Sequence, residues 1–131
     1  MKRADRLMWS RSLGLAAPPR ARPRNLEGPL QAEIVAALRD RGLMAFAIPN
    51  GGKRSKATAG RMKAEGVLAG VPDICVPMPS ARTVWLEVKH GRGPTSGAQD
   101  EMHARLRLLG HRVEVVRSVG EALAVFEGGV R

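Results

Sequence analysis

Tyrosine is absent from this 131-residue chain, and tryptophan and phenylalanine occur twice each. With so few rings, stacking against nucleobases is not the expected mode of recognition for any nucleic acid it meets. Cysteine occurs once, at Cys75, which excludes an intramolecular disulfide framework and a cysteine-clustered zinc site. A small buried hydrophobe is its expected role. The three histidines (His90, His103 and His111) show no metal-ligand spacing and read as surface or loop residues. No apolar run approaches the ~20 residues that a membrane-spanning helix needs, so no membrane partner is expected. In the opening stretch, Arg11 interrupts the apolar residues too early for a signal peptide. Acids are also scarce, 12 against 22 Lys and Arg, for a net charge of +10 and a pI near 11.4. Such a balance calls for a polyanionic partner, nucleic acid above all.

The charge is not confined to one end. Residues 1–28 carry seven basic residues against Asp5 and Glu27, and the rest of the chain carries fifteen against ten. Each part therefore nets +5. Residues 1–27 mix Pro, Ala and Arg without periodicity and read as a basic, disordered tail; residues 28–131 read as one domain.

Within that domain, "GPLQAEIVAALRDRG" predicts a helix. Pro29 suits its first turn, Leu30, Ile34, Ala37 and Leu38 form its apolar stripe, and Gly42 closes it. Glu33 stands beside the stripe. "LMAFAIP" (43–49) predicts a buried strand stopped by Pro49. A basic, glycine-containing stretch follows, with a short helix expected around Ala59–Glu65 and cationic donors available to phosphates. In "TSGAQDEMHARLRLLG", Ser96 and Gln99 have capping-box spacing, and Ala98, Met102, Leu106 and Leu109 are the expected buried face. "HRVEVVR" predicts a strand, and Ser118 with Glu121 opens a last helix. The expected fold is α/β, a small mixed four-stranded sheet flanked by helices in the order αβββαβα.

The most informative segment is "GVPDICVPMPSARTVWLEVK" (70–89), two strands about a turn at Pro79–Ser80–Ala81. Folding there pairs residues whose numbers sum to about 160, so Asp73 faces Glu87. Side chains alternate along a strand, which puts Glu87 and Lys89 on one face and Val84, Leu86 and Val88 on the other. Opposed carboxylates at roughly 5 Å between β-carbons repel unless a cation lies between them. Mg²⁺, which prefers one or two carboxylates plus water and phosphate oxygens, suits the pair. A solvated strand face is the competing reading, weakened by how few acids the chain has.

Pro72-Asp73 followed by Glu87-Val88-Lys89 resembles the signature of the PD-(D/E)xK nucleases. The blocks "IPNGG", "MKAEG", "GVPDI", "LEVK" and the Gln of "TSGAQ" together resemble the VRR-NUC (virus-type replication–repair nuclease) family of that superfamily, over about residues 28–120. The resemblance implies a restriction-endonuclease-like core. It implies metal ligation by Asp73, Glu87 and the Val88 carbonyl, with Glu33 as the upstream acid, directly or through water. Lys89 would orient the attacking water and stabilise charge on the phosphate; Gln99 would help position water or substrate, a role compatible with its place in a capping box. Asn50, Lys53, Arg54, Arg61 and Lys63 would hold the flanking DNA backbone. The implied activity is that of a Mg²⁺-dependent (or Mn²⁺-dependent) DNA endonuclease in replication, repair or recombination. It would be a homodimer acting on branched DNA such as four-way junctions, in the cytoplasm of a bacterial or phage-infected cell. Two other readings stay open: a sequence-specific restriction-type endonuclease, and a non-catalytic basic nucleic-acid-binding module in which the acids merely close the hairpin.

Overall fold

The computed structural model describes residues 26–49 and 55–128. Of the expected DNA contacts, Asn50, Lys53 and Arg54 therefore lie outside the described residues. In chain order the elements are α1 (Glu27–Asp40), β1 (Phe46–Ala47), α2 (Lys56–Ala64), β2 (Ile74–Met78), β3 (Arg82–Val88), α3 (Gly97–Leu108), β4 (Arg112–Val116) and α4 (Val119–Val125). The strands form one sheet in the order β1-β2-β3-β4. β1 and β2 pair antiparallel, as do β2 and β3, whereas β3 and β4 run parallel, with α3 making the crossover between them. This is the mixed sheet and element order expected from the sequence, with α2 inserted before the hairpin.

Strand alternation divides the sheet between two helical layers. Ile74, Val76, Val84, Leu86, Val88 and Val116 point to one face and pack with Ile34 and Leu38 of α1 and Ala122 of α4. Cys75, Trp85, Glu87 and Val113 point to the other face, toward α3, whose buried residues are Met102 and His103. Cys75 is buried, as expected of a small hydrophobe. The pairing of Ile74 with Leu86 and Cys75 with Trp85 reproduces the expected register about Pro79–Ser80–Ala81. Ser80 and Ala81 both adopt positive φ, at 64° and 59°, to make the turn.

Three local expectations need correction. The 43–49 strand shrinks to Phe46–Ala47, both exposed, because β1 is the sheet's edge and only Ala45 of that stretch is well buried. The short helix begins earlier, at Lys56, because Ser55 caps it by accepting from Thr58 N at 3.1 Å. On α3, Ala98 and Leu109 are exposed, and His103 is buried at 2% exposure instead. The helix lies with Gln99, Met102, His103 and Leu106 toward the sheet, a stripe of i, i+3, i+4 and i+7.

Candidate metal and active site

The site is built where the hairpin's open end meets the start of α3. Asp73 immediately precedes β2, and its Oδ2 accepts from Val88 N at 2.8 Å. Alternation explains why that backbone group is free to donate there. Asp73 O accepts from Ile48 N at 2.7 Å, so Asp73 turns its backbone toward β1 and its neighbours turn theirs toward β3. Continuing the register two residues past Ile74–Leu86 sets Pro72 opposite Val88. Proline has no N–H, so the ladder cannot close on the Val88 carbonyl from that side. The N–H and C=O of one strand residue point the same way, which leaves the Val88 carbonyl facing the Asp73 edge. This is a physical reason for proline before the aspartate.

Glu87 is 1% exposed, and its carboxyl meets three side chains. Oε1 accepts from Gln99 Nε2 and lies 3.6 Å from Lys89 Nζ. Oε2 lies 3.8 Å from His103 Nε2, and among the described residues neither of those two atoms has a hydrogen-bond partner. Burial, reinforced by the facing charge of Asp73, pushes the Glu87 carboxyl up to about 7 against the pull of Lys89. Asp73 is also raised, chiefly by burial, although the Val88 N–H and Lys89 oppose the shift. Burial holds the His103 imidazole below its ordinary value, helped by the Arg107 charge. A buried acid facing a half-buried one, both resisting ionisation, is an arrangement whose repulsion a cation between them would relieve.

Gln99 closes the capping box expected of it and also reaches Glu87. Its Oε1 accepts from Ser96 N at 2.8 Å while Ser96 Oγ accepts from Gln99 N at 3.2 Å, a closed capping box. With the carbonyl oxygen engaged, the amide NH₂ is turned to Glu87. The helix start is itself held close to the hairpin by Gly70. At φ +81°, a Cβ on Gly70 would stand 2.2 Å from the Ala98 carbonyl oxygen. Lys89 is 9% exposed, and its N–H donates to Val116 O at 3.0 Å, carrying the parallel ladder one residue past β3. Beyond it, Arg117 Nη1 ties the next loop down through Gly91 O at 2.8 Å and Gly93 O at 2.9 Å.

The structure thus brings Asp73, Glu87, Val88, Lys89 and Gln99 together, and places Glu33 elsewhere. Glu33 is exposed on α1. At about 100° per residue it lies roughly a third of a turn from the stripe of Leu30, Ile34 and Leu38. The acid on that stripe is Glu27, in the helix's first turn, and its charge raises both Asp73 and Glu87. The signal for it was its spacing to Ile34 and Leu38, obscured by assigning residue 27 to the tail. His103 was the other residue missed, and its signal is its place one helical turn after Gln99. Arg61 and Lys63 are exposed on α2.

Among the described residues, no three His, Cys, Asp or Glu side chains form a ready metal cluster. Two carboxylates beside a carbonyl, with one buried carboxylate oxygen lacking a hydrogen bond, nevertheless fit a hard divalent cation that completes its shell with water and phosphate.

No family model and no curated protein matches this chain. Solved structures similar to it in fold include two VRR-NUC domains. One, a "VRR_NUC domain", is 23% identical over 78% of this chain and 95% of its own, with a TM-score of 0.58. The other, a "VRR_NUC domain protein", is 20% identical over 83% of this chain and 91% of its own, with a TM-score of 0.64. The fold and site define an α/β domain whose hairpin carries paired acids and a buried lysine. Its fold is that of the VRR-NUC domains.

Proposed function

We propose that the protein is a VRR-NUC-type, divalent-metal-dependent endonuclease that hydrolyses DNA phosphodiester bonds. The observation that carries this reading is the Asp73–Glu87 pair, both carboxyls raised, beside the buried Lys89 and the capping-box Gln99. Asp73, Glu87 and the Val88 carbonyl would hold Mg²⁺ or Mn²⁺, with Glu27 rather than Glu33 as the further acid, through water. When bound, the ion lowers the pKa of a water and polarises the scissile phosphate.

The chain's own groups do the rest. Lys89, fixed by its backbone bond to β4 and drawn to Glu87, presents a cation where negative charge builds as water oxygen bonds to phosphorus and the ester P–O bond breaks. Gln99 holds Glu87 Oε1, so that carboxylate cannot swing away. Basic residues outside the site, Arg61 and Lys63 among them, would hold the DNA backbone. A homodimer would supply two sites related by a twofold axis, as paired nicks in a branched substrate require.

Cleavage assays test the reading. Asp73→Ala, Glu87→Ala and Lys89→Ala are each expected to lower Mg²⁺-dependent cutting by ~100-fold or more while leaving DNA binding largely intact. Full activity in any one variant would remove that residue from the mechanism. Comparing linear, flapped and four-way substrates separates branch-selective cutting from a restriction-type nuclease. Binding without any metal-dependent cutting would leave the non-catalytic module as the reading.

A further inference from the structure

Glu87 is held from more than one side. Gln99 and Lys89 occupy Oε1, but Oε2 and His103 Nε2 stand 3.8 Å apart, both buried and, among the described residues, both without a hydrogen-bond partner. A water cannot bridge so short a gap, because two hydrogen bonds through water span well over 4 Å. A small rotation of the Glu87 carboxyl would close the pair directly and satisfy both atoms with one bond. An ionised carboxylate is an acceptor only, so the imidazole must be the donor, through an Nε2–H. The side chain is well anchored for this. His103 is 2% exposed and follows Gln99 by one helical turn, so one face of α3 presents an amide to Oε1 and an imidazole to Oε2.

We infer that His103 is a positioning residue, bracing the second oxygen of Glu87 through Nε2–H and setting the carboxylate's orientation toward a bound divalent cation. The inference rests on the metal-site reading above. Outer partners of this kind orient metal ligands, and losing one typically costs about 10–100-fold in metal affinity or activity. His103 itself needs no contact with the ion or with DNA.

The test combines calorimetric titration with Mn²⁺, cleavage kinetics and thermal melts on the full chain, comparing His103→Leu and His103→Gln with the native protein. His103→Leu fills the buried space without a donor. It is expected to weaken Mn²⁺ binding by about 10-fold or more and to lower kcat with KM for DNA unchanged. His103→Gln retains a side-chain NH₂ donor and is expected to recover a substantial part of both losses. Melts measured without metal read folding separately, and the recovery by Gln should exceed what any difference in Tm accounts for. In addition, ¹⁵N NMR of the Mg²⁺-loaded protein should show the His103 proton on Nε2. Native-like Mn²⁺ affinity in His103→Leu, a Gln variant no better than Leu, or a proton on Nδ1 alone would overturn the inference. Failure of the native protein to cut DNA would overturn the nuclease reading, whereas the calorimetry would still read the role of His103.

Discussion

At the scale of single residues, Glu87 concentrates the conflict in this molecule. Its carboxyl is pushed from 4.5 to about 7, first by burial and then by Asp73. The sign of the resulting linkage is fixed: a raised acid holds its proton longer in the folded state than in the unfolded one. The associated stability is complete below pH 4.5 and lost as pH rises through about 7, and the shift in Asp73 acts in the same direction. The loss is on the order of 3 kcal/mol, taking 1.36 kcal/mol per pKa unit. A divalent cation binding the ionised pair would offset it by mass action. Melts in chelator should therefore show Tm falling between pH 5 and 8, with added Mg²⁺ restoring progressively more as pH rises. Glu87→Gln should flatten the pH dependence and reduce the Mg²⁺ effect. A chelated native protein whose Tm rises across that interval would contradict this account of the site.

At the scale of elements, the sequence was most legible where local chemistry left few choices. The prolines and the scarce acids set the hairpin register, and the Ser96 and Gln99 spacing marked the start of α3. What escaped reading depended on tertiary context. Phe46 and Ala47 look like a buried strand until the sheet places them at its edge. His103 looks like an exposed helix residue until α3 settles over Glu87. Glu27 and Glu33 differ only in helical phase, and the stripe of Ile34 and Leu38 chooses between them. Gly70 shows the same dependence, since its need to be glycine comes from the approach of Ala98. Gly70→Ala would force a Cβ against that carbonyl, at φ +81°, and push the start of α3 away from the hairpin. A loss on the order of 2 kcal/mol is expected from the backbone conformation and the contact together. Cleavage should fall further than stability, because Gln99 moves with the helix. In contrast, Ala81 has φ 59° in an exposed turn, and Ala81→Gly should raise Tm by relieving about 1 kcal/mol of strain. Unchanged melting in both variants would show that these backbone positions are under no constraint.

At the scale of the whole molecule, the net charge of +10 surrounds a site that is itself acid-rich, with Asp73, Glu87 and Glu27 acting on one another. A polyanion approaching that site needs cations on its flanks to hold it, and a divalent ion within it to relieve repulsion. Among the described residues, α2 offers Arg61 and Lys63 on exposed positions, with Arg61 Nε 4.0 Å from Glu65 Oε1. An ion pair this exposed holds its arginine weakly and yields readily to a phosphate. Each cation that neutralises a phosphate contributes roughly 0.9 to the slope of log affinity against log salt on duplex DNA. Arg61→Ala with Lys63→Ala should therefore flatten that slope by up to about two units. Because phosphate contacts carry no sequence information, the double variant should weaken linear and branched substrates alike. Binding titrations over several salt concentrations, in Ca²⁺ to suppress cutting, read both effects at once. The Mn²⁺ affinity of the hairpin site should stay near native, since neither residue reaches Asp73 or Glu87. An unchanged slope would place the DNA-holding charge elsewhere, and the seven basic residues of positions 1–28 would then be the next to neutralise.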